Sequence, residues 1–173
     1  MTVKQRNILE AALELFANEG YNAVSTSKIA RKAGVSEGLI FRHFENKKGL
    51  LDANMQEAER RLQEVVAPIL QEENPRTALA IVIDMPFEME ESEYDFWKLQ
   101  YKLKWEAEYN KHEKMRPMME KLTQIFEGLG FDKPTLEAQF FAQIVDSIFI
   151  GILRDGKASQ EPLHAYLKEK YGV

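Results

Sequence analysis

Hydrophobic residues recur every three or four positions along nearly the whole chain, and the alternation typical of β-strands is almost absent. This spacing predicts an all-α protein with about nine helices. The first helix is expected over residues 3–19, because Ile8 and Leu15 fall on one apolar face. Gly20 follows directly and is expected to end that helix.

The residues from 26 to 44 predict two short helices that meet at Gly34. Thr26 is expected to cap the first helix and Ser36 the second, whereas Gly34 supplies the positive φ of a sharp turn. The residues spaced to pack one helix against the other are all apolar, and they are Ile29, Ala30, Ala33, Val35, Ile40 and Phe44. Basic side chains remain on the outer face. Two crossed helices with a small core and a basic outer face form a helix-turn-helix, which fits the major groove of DNA.

The same periodicity predicts six further helices after residue 46. Their expected ranges are 47–71, 75–85, 93–110, 113–127, 135–154 and 160–170. Pro68 is expected to bend the fourth helix or to end it early, because proline has no N–H for the helical hydrogen bond. No internal repeat or low-complexity linker interrupts this succession.

The distribution of charge supports a DNA-contacting end. The net charge of the chain is −5, which by itself argues against a nucleic-acid partner. Residues 1–50, however, contain eight Lys or Arg and five Asp or Glu, so this segment carries +3 and the remainder −8. The basic excess therefore coincides with the helix-turn-helix pattern, and the acidic remainder would keep phosphate at one end.

Composition excludes several other classes of protein. There is no cysteine, which removes disulfides, thiol catalysis and thiolate metal sites together. The three histidines, at positions 43, 112 and 164, show no metal-ligand spacing, and no nucleophile–base constellation is present. The N-terminus lacks the apolar core of a signal peptide, and no uncharged apolar run approaches the roughly 18 residues of a membrane span. We therefore expect a cytoplasmic protein that is not an enzyme and has no cofactor, metal or membrane partner.

Three segments of the N-terminal region resemble the TetR family of bacterial transcriptional repressors. They are AALELFANEGY at 11–21, STSKIARKAGVS at 25–36 and LIFRHFENKKGLL at 39–51. The resemblance covers roughly the first 55 residues. It implies a DNA-binding domain over residues 1–50 and an effector-binding and dimerisation domain over residues 51–173. It further implies a homodimer that represses transcription at a palindromic operator and is released by a small effector.

The resemblance also implies which residues contact DNA. Thr26, Ser27 and Lys28 would meet phosphates from the N-terminus of the second helix, where the N–H groups point outward. On and beside the third helix, the residues implied at the groove or on the backbone are Ser36, Glu37, Gly38, Leu39, Phe41, Arg42 and His43. Lys47 and Lys48 follow in the first turn of the fourth helix, where a cation opposes the helix dipole and a nearby phosphate would justify it.

Two residues depart from the family pattern. Phe41 stands where a tyrosine is usual, so one phosphate hydrogen bond is missing. Glu37 stands where a basic or small residue is common. Its carboxylate would either accept a hydrogen bond from a cytosine amino group or simply weaken non-specific binding. The operator sequence is more affected by these changes than the DNA-binding role.

A row of aromatic residues at positions 97, 101 and 105 has two interpretations. Spacing of four residues is typical of a buried stripe that belongs to the core. The alternative is a ligand pocket, since the resemblance implies an effector cavity in this region and methionine suits adaptable apolar pockets. The expected lining residues are aromatic or methionine, namely Met85, Met89, Trp97, Tyr101, Trp105, Met118, Met119, Phe126 and Phe140. Such a pocket favours an apolar or cationic effector.

The eighth helix is apolar over more of its circumference than one neighbour requires. One side is expected to face its own core, and the other to meet the same helix of a second subunit in a four-helix interface. The residues expected at this interface are Phe141, Ile144, Val145, Ile148, Phe149 and Ile152. Two alternatives remain open: an all-α interaction or adaptor protein, and a DNA-binding regulator without a ligand.

Overall fold

A computed structural model describes residues 1–103 and 112–173, with the side chains of residues 112–114 left out. Within these ranges the chain is all-α, with nine α-helices, two short 3-10 helices and no strand. The α-helices are α1 (Val3–Glu19), α2 (Thr26–Ala33), α3 (Glu37–Phe44), α4 (Lys47–Gln71), α5 (Pro75–Glu88), α6 (Tyr94–Leu103), α7 (His112–Gly128), α8 (Pro134–Asp155) and α9 (Glu161–Tyr171). The 3-10 helices span Glu91–Glu93 and Lys157–Ser159. The predicted fold class is confirmed.

The chain divides into two compact units. Unit 1 comprises Met1–Arg61 and Ser92–Asn110, and unit 2 comprises Leu62–Glu91 and Lys111–Val173. The division therefore differs from the predicted one at residue 50. The cause is that α6 packs against α1, with the Lys102 ammonium donating to the carbonyl oxygen of Ala17. Helix α4 begins in unit 1 and ends in unit 2.

Unit 1 is built around α1. The helix begins with a capping box, in which the Thr2 hydroxyl accepts from the Gln5 backbone and the Gln5 side chain accepts from the Thr2 N–H. It ends at Gly20, which adopts a positive φ of 87°. The inner face of the helix is buried, and Val24 of the loop before α2 packs against it. Helices α2, α3, α4 and α6 contribute the other members of the core: Ile29, Ala30, Ile40, Leu50, Leu51, Leu99 and Leu103.

The turn between α2 and α3 forms as the sequence predicts. Gly34 adopts the left-handed conformation, with φ 67° and ψ 35°, and its N–H closes α2. The predicted N-cap of α2 is wrong by one residue: the Ser25 hydroxyl accepts from the Lys28 N–H at 3.2 Å, and Thr26 is the first helical residue. Ser36 occupies the N-cap position of α3, but its side chain makes no capping hydrogen bond.

Unit 2 packs α5, α7, α8 and α9 around an aromatic cluster. The rings of Phe126, Phe141 and Tyr171 lie 5.4–5.6 Å apart between centroids, in tilted or edge-to-face arrangements. Asn74 caps α5 by accepting from two backbone N–H groups. Pro68 lies inside α4 and does not end it early: the helix continues for about one more turn, to Gln71.

Helix α8 is the most apolar helix of unit 2. It has the length and composition of a membrane span, with a mean hydropathy of 1.5 over an 18-residue window. Seven of its residues are nevertheless buried within the unit, and they are Ala138, Phe141, Val145, Ile148, Phe149, Gly151 and Ile152. The same length and composition are also found in helices of a protein core, and the buried residues of α8 belong to such a core.

Candidate nucleic-acid interface

The N-terminus of α2 borders a surface depression in unit 1. This depression of about 410 Å³ is lined by Asn22, Ala23, Val24, Ser25, Thr26, Phe41 and Lys47. The first N–H groups of any α-helix have no partner within the helix, and together with the helix dipole they attract anions. Those of Thr26 and Ser27 occupy this position. The predicted phosphate contact at this end of α2 therefore remains a prediction for the backbone of both residues.

The side chain of Thr26 has a different partner. Its hydroxyl donates to a carboxylate oxygen of Glu37 at 2.5 Å, which joins the first residue of α2 to the first residue of α3. A hydroxyl has one hydrogen to donate. The Thr26 hydroxyl is therefore used to position Glu37, and the predicted phosphate contact of Thr26 remains a prediction for its backbone N–H. Sequence reasoning missed the contact because the two residues are eleven positions apart.

Two lysines of α2 are paired with acidic residues of α1. Lys28 contacts Glu19, and the Lys32 ammonium lies 2.6 Å from the Glu14 carboxylate. All four side chains are more than a third exposed. Exposed ion pairs contribute little to stability and exchange readily. Lys28 therefore keeps its predicted role only if a phosphate replaces Glu19.

Arg31 and Arg42 are the exposed cations of the two short helices that the structure leaves without an ion-pair partner among the described residues. Arg31 lies in the last turn of α2 and Arg42 in the last turn of α3. A guanidinium of this kind binds phosphate or a guanine edge through two parallel hydrogen bonds. Sequence reasoning placed Arg31 on the outer face but did not include it among the contacting residues.

His43 is held in one tautomer by Gln5. The Gln5 amide oxygen accepts from the Thr2 N–H at 2.8 Å, so its NH₂ group faces His43 and lies 3.3 Å from Nδ1. An amide nitrogen donates only, so Nδ1 accepts and the hydrogen of the neutral ring lies on Nε2. This leaves an N–H donor at Nε2 for the phosphate contact that the sequence predicts.

The two lysines at the start of α4 have different partners. The Lys47 ammonium donates to the carbonyl oxygens of Tyr21 and Val24, at 2.9 and 3.0 Å, and lies 4.3 Å from the centroid of the Tyr21 ring. Lys48 is half exposed and its ammonium lies 3.2 Å from Asp52. Lys47 therefore fixes the loop between α1 and α2. The DNA contacts predicted for Lys47 and Lys48 both remain predictions.

The first turn of α3 presents little side-chain bulk at Gly38. A β-carbon added there would meet no atom of the described chain within 4 Å. Packing within the chain therefore does not require a glycine at this position. Phe41, which is 48% exposed, and the half-buried Leu39 lie on the same helix.

The junction between α3 and α4 is tightly constrained. Glu45 adopts a positive φ of 64°, and the Asn46 N–H donates to the carbonyl oxygen of Phe44 at 2.6 Å across it, which forms a γ-turn. The Asn46 side chain accepts from the Gly49 N–H at 2.9 Å, as expected for the N-cap of α4. This turn fixes the direction in which α4 leaves α3.

The residues predicted to line a ligand pocket fall into different places. Trp97 and Tyr101 belong to unit 1, whereas Met85, Met89, Met118 and Met119 belong to unit 2. Trp105 lies outside the described residues. Two assignments are corrected: Phe126 is a fully buried member of the aromatic cluster, and Phe140 is 51% exposed.

The residues predicted for the dimer interface are mostly core residues of unit 2. The buried ones, each at most 7% exposed, are Phe141, Val145, Ile148, Phe149 and Ile152, and Ile144 is half buried. A side chain that is buried in its own unit cannot cover a second subunit, so the predicted face of α8 is wrong. The exposed apolar residues of α8 are instead Leu136, Phe140 and Ile150, and those of α9 are Leu163 and Tyr166.

Residues 8–53 match the family model described as bacterial regulatory proteins, tetR family. This range runs from the middle of α1 through the helix-turn-helix into α4. Over residues 8–53 the chain is therefore similar to the TetR family. Among curated TetR-type relatives, the HTH-type transcriptional regulator BetI of Cronobacter sakazakii (strain ATCC BAA-894) is 37% identical over 84 residues. That match covers 46% of this chain and 42% of BetI, less than half of either protein.

Solved structures of TetR-type proteins share the fold over nearly the whole chain. A TetR-like transcriptional regulator from Rhodococcus sp. RHA1 superimposes with a TM-score of 0.82 at 19% identity, covering 99% of this chain and 94% of that one. A transcriptional regulator from Saccharomonospora viridis in complex with choline gives a TM-score of 0.71 at 21% identity, covering 95% and 93%. At such identities the likeness shows the fold alone.

Proposed function

We propose that this chain is a regulator of the TetR type, which binds an operator in double-stranded DNA through α2 and α3 and thereby represses transcription. The observation that carries the proposal is the set of hydrogen-bond donors on the helix-turn-helix. The first N–H groups of α2, the guanidinium of Arg42 and the Nε2–H of His43 all belong to these two helices. Such groups bind phosphate and base edges without any chemistry at the DNA.

Selection of binding sequences from random duplexes, followed by electrophoretic shift, tests this function. Arg42→Ala is expected to weaken binding at least tenfold and to reduce the slope of log K against log salt by about 0.9, if the arginine meets a phosphate. Arg116→Ala is the matched control, because Arg116 is an exposed arginine of unit 2. Equal binding by the two variants would remove Arg42 from the interface, and failure of the wild type to enrich any sequence would refute the function.

We also propose that the operator is palindromic because the protein is a homodimer. The exposed apolar residues of α8 recur at positions 136, 140 and 150, on one stripe of the helix, and α9 adds Leu163 and Tyr166. Stripes of this kind on two helices match the halves of a four-helix interface. A two-fold axis would present both copies of α3 to successive major grooves, about 34–36 Å apart.

The state of assembly is measured by light scattering on the purified protein. Phe140→Glu is expected to give a monomer with a weakened affinity for a palindromic site, because a charge would be buried in the interface. Leu70→Glu is the control, since Leu70 is an exposed apolar residue of α4. A wild-type monomer, or an unaffected dimer in Phe140→Glu, would contradict the proposed interface.

We propose, finally, that a small apolar or cationic effector releases the DNA. The methionines and aromatic residues that are expected to line a pocket support this proposal. Such side chains suit apolar groups, and aromatic faces attract quaternary ammonium. The related regulator solved with choline provides one such molecule. Because α4 contributes to both units, we infer that a ligand with different affinities for two positions of α4 changes the spacing of the recognition helices.

Thermal shift with choline and with long-chain acyl compounds, followed by operator release in the same electrophoretic assay, tests the effector. A ligand that raises the melting temperature and lowers operator affinity supports release. Stabilisation without any change in operator binding would show binding without control of the DNA. No response to either class would leave the regulator without the proposed kind of effector.

A further inference from the structure

We propose that Glu37 is a specificity-determining residue that selects cytosine at one position of each operator half-site. The inference rests on the DNA binding proposed above. It concerns what the recognition helix reads once it is in the groove. Its basis is the hydrogen bond between Thr26 and Glu37, which joins two residues that the sequence alone does not connect.

The position of Glu37 places it among the residues that reach base edges. It is the first residue of α3, and in a helix-turn-helix the N-terminal residues of the second helix contact the bases. Gly38 follows it, and the space around the α-carbon of Gly38 is open. A helix without a side chain at this point can approach the floor of the groove closely. The carboxylate of Glu37 would then come within reach of a base pair.

The Glu37 carboxylate is oriented but not neutralised. Thr26 donates to Oε1 at 2.5 Å, which leaves Oε2 as the unoccupied acceptor. The nearby lysines of α2 are engaged with α1, and Glu37 has no ion-pair partner among the described residues. The carboxylate lies in the first turn of α3, where the helix dipole interacts favourably with a negative charge. A charge of this kind requires a hydrogen-bond donor when DNA displaces its water.

The major groove offers such a donor from one base without an adjacent acceptor. Cytosine presents its N4 amino group, whereas guanine presents the acceptors N7 and O6, and thymine presents an acceptor and a methyl group. Adenine has an amino group beside the acceptor N7, and the lone pair of N7 would repel the second carboxylate oxygen. A single oriented anionic oxygen is therefore satisfied best by cytosine. If Glu37 only repelled phosphate, it would weaken all sequences alike.

Selection from random duplexes with the full-length protein, followed by competition among single-base variants of the selected site, tests the assignment. The wild type is expected to prefer cytosine at one half-site position by about tenfold to hundredfold over guanine or thymine. Glu37→Gln is expected to transfer that preference to adenine, because an amide pairs with N6 and N7 together. Glu45→Gln removes the same charge from the other end of α3 and is expected to leave base preference unchanged.

The role of Thr26 is tested in the same assay. Thr26→Val removes the donor and is expected to reduce the discrimination between cytosine and adenine, whereas Thr26→Ser keeps the donor and the discrimination. Melting temperatures confirm that each variant is folded. Glu37→Gln binding all sequences more tightly with unchanged base preference would overturn the assignment while leaving the DNA-binding function intact. No enrichment by the wild type or any variant would instead overturn the function, and the assignment with it.

Discussion

Gly49, in the first turn of α4, faces the carbonyl group of Phe44 at the end of α3 so closely that no side chain fits between them. A β-carbon added at residue 49 would overlap the Phe44 carbonyl oxygen and lie 3.1 Å from its carbon. Both obstructing atoms are backbone, so they cannot turn away as a flexible side chain would. Together with the positive φ of Glu45, this contact determines the geometry of the α3–α4 junction.

Gly49→Ala is expected to destabilise the protein and Gly38→Ala to stabilise it. The methyl group at 49 must displace the junction, which costs about 1–3 kcal/mol, as overpacking typically does. At 38 there is no obstruction, and alanine in a helix is favoured over glycine by about 0.5–1 kcal/mol. Denaturant unfolding measures both changes. DNA affinity should fall in both variants, for Gly38→Ala without loss of stability, and a destabilised Gly38→Ala would contradict the open space found there.

The helices of unit 1 were predictable from the sequence because their signals are local. Apolar spacing, the glycines at 20 and 34 and the hydroxyl residue before each helix determine where α1, α2 and α3 begin and end to within one residue. The contacts that position the site were not predictable, because each joins residues distant in sequence. The bonds from Lys47 to the carbonyl groups of Tyr21 and Val24 span more than twenty residues and follow no spacing rule.

Lys47 and Lys48 are expected to separate stability from DNA binding. Lys47→Met removes two hydrogen bonds from a charged group to the α1–α2 loop, so the free energy of unfolding should fall by about 1.5–3 kcal/mol. Lys48→Met removes an exposed ion pair with Asp52 and should change stability by less than about 1 kcal/mol. Fluorescence titration with DNA over a range of salt should show a shallower slope for Lys48→Met. An unaltered melting curve for Lys47→Met would exclude its structural role.

Helix α8 shows that apolar periodicity alone does not predict which residues of a helix are buried. A helix that is apolar over most of its circumference does not indicate which apolar stripe faces inward. Phe140 and Phe141 are adjacent in sequence, yet Phe141 is fully buried and Phe140 is half exposed. The choice is made by the aromatic cluster around Phe126 and Tyr171, which comes from α7 and α9. That packing is not visible in the pattern of α8 itself.

Asp84 is expected to make the stability of unit 2 depend on acid pH. Its carboxylate lies 2.6 Å from His164 Nε2 and 2.7 Å from the Lys168 ammonium, which connects α5 to α9. Burial raises the pKa of Asp84. The hydrogen bonds from Lys168 and His164 and their charges together lower the pKa by more than burial raises it, so the pKa lies below its ordinary value. A depressed pKa stabilises the folded state above the unfolded pKa of about 4, and this stabilisation is lost as pH falls through the folded pKa.

Asp84→Asn should therefore cost about 2 kcal/mol at neutral pH and progressively less below about pH 4. Urea unfolding at a series of pH values measures this difference. Asp132→Asn, an exposed aspartate in the loop before α8, is the control and should show no such dependence. A cost for Asp84→Asn that stays constant down to pH 2 would show that the charge of the carboxylate is not what stabilises the contact.

Tyr171 is expected to resist ionisation until the protein unfolds. Burial raises the pKa of its phenol, and the hydrogen bond that its hydroxyl donates to Glu137, at 2.7 Å, raises it further. Because the folded pKa is raised, the stabilisation is complete below the unfolded pKa of about 10 and declines as pH rises above it. Tyr171→Phe keeps the aromatic cluster and should cost about 0.5–1.5 kcal/mol at pH 7. In an ultraviolet titration, the difference between wild type and Tyr171→Phe should show no ionisation near pH 10 while the protein remains folded. Ionisation of Tyr171 near pH 10, before the loss of helical circular dichroism, would mean that the phenol is open to water and that α9 is not held against α8 through this contact.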